Sequence, residues 1–202
     1  MFDGLAAVSA GSVADSEVSS LERIVAVFAQ EFGRTENTAL IPGAEEPYYQ
    51  PAKSAASTHK LFSRLDYPAS ALHEAAHWCL AGARRRQLAD FGYWYAADGR
   101  SRDQQREFQR VEVKPQAIEW AFSRAVGLRF QVSIDNLAGE ALDPFGFQLA
   151  VWQQARRYAL DGLPLRAERF ARALSEEFAT GDAYRAPQSL AALTRGVSGG
   201  LN

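Results

Sequence analysis

The chain has 202 residues, 47% hydrophobic and 23% charged, with a net charge of −2. That is enough for one domain with its own core, and the near-neutral charge gives no reason to expect non-specific binding to nucleic acid or a membrane surface. The single cysteine, Cys79, excludes an internal disulfide framework and fits a reducing compartment.

No basic-then-apolar leader opens the chain, and no apolar run reaches the roughly 20 residues of a membrane span, so a cytoplasmic protein is expected. Residues 1–18 are rich in Ser, Ala and Gly without a period and read as a flexible N-terminal extension, leaving 19–202 as one domain. A helix follows with Ser19 or Ser20 as N-cap; Leu21, Ile24, Val25 and Phe28 form its apolar stripe and Gly33 ends it. The stretch TALIPGAEEPYYQPA, 38–52, reads as short strands broken by Pro42, Gly43 and Pro47. Asp66-Tyr67-Pro68 then opens a helix that Gly82 closes.

Beyond that helix, ADFGYWYAADGR, 89–100, is an aromatic run expected to be a short strand turning at Asp98-Gly99. SRDQQREFQRVEV, 101–113, shows no decisive period. Pro115 is expected to start a helix in which Ile118, Ala121, Phe122 and Ala125 recur before Gly127. FQVSIDNLAGE, 130–140, alternates as a strand and turns at Asp135-Asn136, and two helices fit 145–160 and 164–179 on either side of Asp161-Gly162. The tail past Gly181 reads as loop. The expected fold class is α+β, a single predominantly helical domain with a few short strands.

The chemistry concentrates in ALHEAAHWCLAG, 71–82, which contains His73, Glu74 and His77 as H-E-x-x-H. On a helix, residues four apart share a face, with Cβ atoms roughly 5–6 Å apart, so both imidazoles can reach one ion. Glu74 lies one step round and is placed to meet a group bound beside the metal, in the role of an acid or base. Leu72, Ala75, Ala76 and Cys79 form the adjoining apolar face, which makes Cys79 a core residue rather than a ligand. Two histidines need a third ligand. His59 is one candidate, though a lone His in a polar stretch is usually solvated. Glu112, flanked by Val111 and Val113 in a period-two pattern, and Glu119, beside Ile118 and Phe122, are better ones. Pattern leaves these two open.

HEAAHWCLAGARRRQLADFGYWYAADGR, VEVKPQAIEWAFSRAVG and SIDNLAGE, in that order, resemble the bacterial elongation factor P hydroxylase family, from about Glu45 to about Phe170. The resemblance implies an iron-dependent oxygenase of the cytoplasm that hydroxylates the β-lysyl-modified lysine of translation elongation factor P. It implies His73 and His77 as metal ligands, and its V-E-V-K-P-Q-A motif carries the third ligand to Glu112, with Glu119 as runner-up. Fe(II) is the expected metal, with zinc able to replace it in a purified sample and dioxygen as co-substrate; a 2-oxoacid co-substrate is left open. Glu74 then handles a proton beside the metal. A long cationic substrate side chain suits an aromatic and acidic channel, for which Tyr93, Trp94, Tyr95, Asp98 and Asp135 are the candidates, with Asp90 nearby in sequence. Arg84, Arg85 and Arg86 either complement the C-terminal dipole of the motif helix or steer an acidic protein partner. No nucleic-acid or membrane partner is expected. Two readings compete: a zinc peptidase with Glu74 as the base for water attack, and a binding module held together by a closed metal site.

Overall fold

In the computed structural model, described for residues 20–92, 100–133, 144–186 and 189, a long central helix organises the chain. Helix α1 (20–28) runs into a wider π turn at Ala29–Gly33. Strands β1 (Thr38–Ala44), β2 (Tyr48–Gln50) and β3 (His59–Arg64) follow, then helices α2 (Pro68–Leu80), α3 (Arg102–Ala125), α4 (Pro144–Asp161) and α5 (Leu165–Glu177). The expected α+β class with helices in the majority is what the chain adopts.

The sheet has the order β1-β3-β2, with β1 parallel and β2 antiparallel to β3. Leu40 pairs with Leu61, and Tyr49 also pairs with Leu61 from the other side. Pro42 and Gly43 do not break β1. They fall in an irregularity of its register between Ile41 and Ala44, where a residue without N–H and a glycine at φ +93° are tolerated. Strand β3 carries no turn signals or long apolar run, and the sequence reading passed over it.

One face of α2 is wholly buried: Ala71, Leu72, Ala75, Ala76, Trp78 and Cys79 all lie below 5% exposure. It packs on β3, α3 and α5, with Pro68 in its first turn and Ala81 as C-cap. The aromatic core sits behind it, where Trp78 meets Phe32 at 4.7 Å and Phe28 at 5.2 Å, and Phe170 meets Phe28 and Phe122 at 5.5 and 5.1 Å. A smaller cluster of Ala117, Trp120, Phe130, Phe147, Val151 and Ala155 joins α3 to α4.

Several expectations need correction. Residues 102–113 are not an undecided segment followed by a new helix at Pro115; one helix spans 102–125 with Pro115 inside it. Its first turn is held by a capping box between Ser101 and Gln104, and the missing N–H of Pro115 leaves the Val111 carbonyl without its usual helical donor. Glu112 therefore sits on a helix, not on a strand between two buried valines. Ala89–Gly92 forms a kinked helical turn rather than the start of a strand, and 130–133 is irregular. Gly181–Arg185 is a 3-10 turn that buries Tyr184, not loop. The extension 1–18 and the turns at Asp98-Gly99 and Asp135-Asn136 lie outside the described residues.

Candidate metal centre

Helices α2 and α3 cross so that His73 and His77 face Glu112 and Glu119. The spacing on α3 explains why both acids are present on one side: seven residues turn a helix through about 700°, within about 20° of two full turns. Because Pro115 looked like a helix start, this i, i+7 relation was hidden from the sequence reading.

The Nε2 atoms of His73 and His77 are 3.0 Å apart. Glu112 Oε1 lies 3.2 Å from His77 Nε2, and its Oε2 lies 3.5 Å from His73 Nε2. Among the described residues, these three are the group whose ligand atoms converge within 4.8 Å. Three donors about 2.1 Å from a shared ion would lie roughly 3.0–3.4 Å from one another, whether the angles between them are octahedral or tetrahedral. The triangle thus fits a divalent transition metal and does not discriminate iron from zinc. A second observation supports the fit: Glu112 is 3% exposed, and its buried Oε2 accepts no hydrogen bond.

The electrostatics of the metal-free protein follow from this crowding. Burial alone would push the Glu112 carboxyl up, but the charges of His77 and His73 and hydrogen bonds from His77 and Gln116 outweigh it and hold the group at about 2. Burial would likewise lower His73; the Glu119 carboxylate, by charge and hydrogen bond, together with Glu112 and Glu74, instead raises it to about 10. Glu119 and Glu74 are both raised chiefly by burial, opposed by the histidines. Glu74 is half-buried and also feels the charge of Asp90, which places the kinked turn Ala89–Gly92 on the Glu74 side of the site. Asp90 and Phe91 both hold the left-handed conformation, at φ +45° and +56°. Contacts hold them there: Asp90 Oδ1 accepts the Tyr49 N–H at 2.8 Å, and the Phe91 ring stacks on Tyr49 at 4.3 Å.

The remaining candidates fall elsewhere. Cys79 is buried, stands apart from the ligand group, and has its thiol pushed up to about 12 by burial. His59 is half-buried and not one of the converging group; its Nδ1 meets the Tyr49 hydroxyl and the Ala52 N–H, each at 3.0 Å. Arg86 pairs with Glu36 at 2.5 Å and lies over Trp78, while Arg84 and Arg85 are exposed. Arg86 is thus near the last turn of α2, but the carbonyls there are held by Arg166 of α5, whose Nη2 donates to those of Trp78, Cys79 and Ala81. The sequence reading missed it, since an arginine 85 residues from the helix end leaves no local signal. Tyr93, Trp94, Tyr95, Asp98 and Asp135 lie outside the described residues.

A sequence model of the family described as elongation factor P hydroxylase matches residues 27–188. The chain belongs to the elongation factor P hydroxylase family. A relative from Haemophilus influenzae, named elongation factor P lysine hydroxylase, is 47% identical over 162 residues, covering 80% of this chain and 91% of its own. As a family member the chain is an enzyme, a hydroxylase, rather than a peptidase. The span matched to the hydroxylase family contains His73, Glu74, His77, Glu112 and Glu119. No helix among the described residues of this hydroxylase is long and apolar enough to cross a membrane.

Proposed function

We propose that this hydroxylase adds oxygen to the β-lysyl-modified lysine of elongation factor P at an Fe(II) ion held by His73, His77 and Glu112, in the cytoplasm. The observation that carries the reading is the triangle of two Nε2 atoms and a buried carboxylate whose Oε2 accepts no hydrogen bond. Two histidines and one carboxylate on one face of an ion leave its other positions open, which is the donor set of non-haem iron oxygenases. An iron ion held there would supply the activation of dioxygen that hydroxylation of an unactivated carbon requires.

The chain's own residues do the rest. His73 and His77 would supply neutral donors, and ionised Glu112 one negative charge, on the face of α2 that looks towards α3. Burial raises the Glu74 carboxyl, against the pull of the histidines, which makes it readier to take up a proton beside the ligands and to exchange one as substrate is oxidised. The cationic substrate side chain would approach from the side of Glu74 and Asp90, with Tyr93, Trp94, Tyr95, Asp98 and Asp135 proposed to line its path. The name of the Haemophilus relative, which specifies a lysine of elongation factor P, supports this choice of substrate.

The test is intact-mass measurement of modified elongation factor P after incubation with Fe(II)-loaded enzyme and air. A gain of one oxygen, about 16 Da, is expected with the wild type and not with His73→Ala or Glu112→Ala. No gain with the wild type, or an equal gain with either variant, would overturn the reading. Parallel assays with Zn²⁺ replacing iron, and with and without a 2-oxoacid, identify the metal and the co-substrate.

A further inference from the structure

We propose that Glu119 is a positioning residue for the metal centre: it holds His73 through Nδ1, so that Nε2 is the nitrogen offered to the metal, and is not itself a ligand. The inference rests on the assignment of His73, His77 and Glu112 as ligands and deepens it. Glu119 Oε2 lies 2.8 Å from His73 Nδ1, and Glu119 is 7% exposed. The opposite nitrogen of the same ring is the one that meets His77 Nε2 at 3.0 Å and Glu112 Oε2 at 3.5 Å. The imidazole therefore bridges two carboxylates of α3, one at each nitrogen.

Direct ligation by Glu119 fails on this geometry. Its nearest oxygen is on the side of the ring facing away from the converging atoms, and it is two helical turns, about 10 Å along the axis, from Glu112. The hydrogen bond, by contrast, has a definite consequence. An ionised carboxylate accepts only from a protonated Nδ1, so the neutral ring must carry its proton there and leave the Nε2 lone pair free. The contact also fixes the ring plane and raises the basicity of the ligating nitrogen, as carboxylates behind metal-bound histidines do. The i, i+7 spacing of the two acids on one helix, with α2 lying across it, is what makes the arrangement possible.

The experiment measures Co(II) affinity by chelator competition in the full chain, for wild type, Glu119→Ala, Glu119→Gln, Glu112→Ala and His73→Ala. Long-range ¹H–¹⁵N NMR of the Zn²⁺-loaded protein reads the His73 tautomer beside it; with three histidines in the chain the assignment is tractable. Glu119→Ala is expected to weaken binding about 10–100-fold, with the Nδ1–H resonance of His73 shifted or lost. Glu119→Gln, whose amide oxygen still accepts from Nδ1–H, recovers part of the affinity and keeps the tautomer. Glu112→Ala and His73→Ala abolish measurable binding. Wild-type affinity and tautomer in Glu119→Ala overturn the inference alone, as does a loss in Glu119→Ala as complete as in Glu112→Ala, which would make Glu119 a ligand. Wild-type affinity in Glu112→Ala and His73→Ala overturns the ligand assignment and this inference with it.

Discussion

Replacing Arg166 with Met should unlatch the end of the helix that carries both histidines. The guanidinium Nη2 donates to the Cys79 and Trp78 carbonyls at 3.1 and 3.3 Å and to the Ala81 carbonyl, and the group lies 4.8 Å from the Trp78 ring centre. Two hydrogens shared among three acceptors count as about two charge-assisted bonds, together about 3 kcal/mol, and the ring contact adds about 1 kcal/mol. Against this, the buried Nε has no acceptor, at a cost of about 2 kcal/mol. Methionine keeps the apolar stem and removes all of these terms. The net expectation is a loss of about 2 kcal/mol, or about 4–8 °C in Tm for a chain of this size. Urea unfolding of the metal-free protein, followed by circular dichroism, measures it, with an unchanged denaturant slope showing that the unfolded state is unaltered. Arg172→Met is the control: Arg172 lies exposed on the same helix, 3.9 Å from Glu176, and its loss should cost under about 0.5 kcal/mol. A change within about 0.5 kcal/mol for Arg166→Met would refute the argument and show that burying this charge costs as much as its bonds return.

Metal loading should release a proton, because His73 in the metal-free protein stays protonated up to about pH 10 while the metal takes the neutral ring. The proton lost is the one on Nε2; Nδ1–H stays with Glu119. Apparent Co(II) affinity should therefore climb about tenfold per pH unit from pH 7 to 9, where an ordinary imidazole, titrating near 6.5, would already give a plateau; a flat profile over that range contradicts the electrostatics described. Cys79, buried and raised to about 12, should react with a disulfide reagent at pH 8 roughly a thousandfold more slowly in the folded protein than in urea. Folded-state labelling at the rate of a free thiol would show that the α2 face opens.

Where local signals were strong, the sequence was legible. Pro68 at the helix start and the buried set Leu72, Ala75, Ala76 and Cys79 are one-dimensional facts about α2, and the structure repeats them. The helices at 145–160 and 164–179 were legible for the same reason, and are found as Pro144–Asp161 and Leu165–Glu177. The first half of α3 was not, because residues 102–110 are mostly exposed and polar and carry no apolar stripe; what orders them is a capping box and their continuity with a buried second half. Strand β3 was illegible because half its definition lies in β1, about 20 residues earlier, through parallel pairing.

The sequence by itself determined the reacting helix, the pair of imidazoles on one of its faces, the resemblance to a hydroxylase family, and the two acids from which a third ligand could come. Pattern alone left Glu112 and Glu119 open, and only the family resemblance favoured Glu112; that both stand on one face of one helix was not legible. What sets the two acids apart is the crossing of α2 over α3, which puts Glu112 beside Nε2 and Glu119 beside Nδ1 of the same ring. A difference of two helical turns is invisible to composition and pattern; only packing converts it into different chemistry at the two nitrogens.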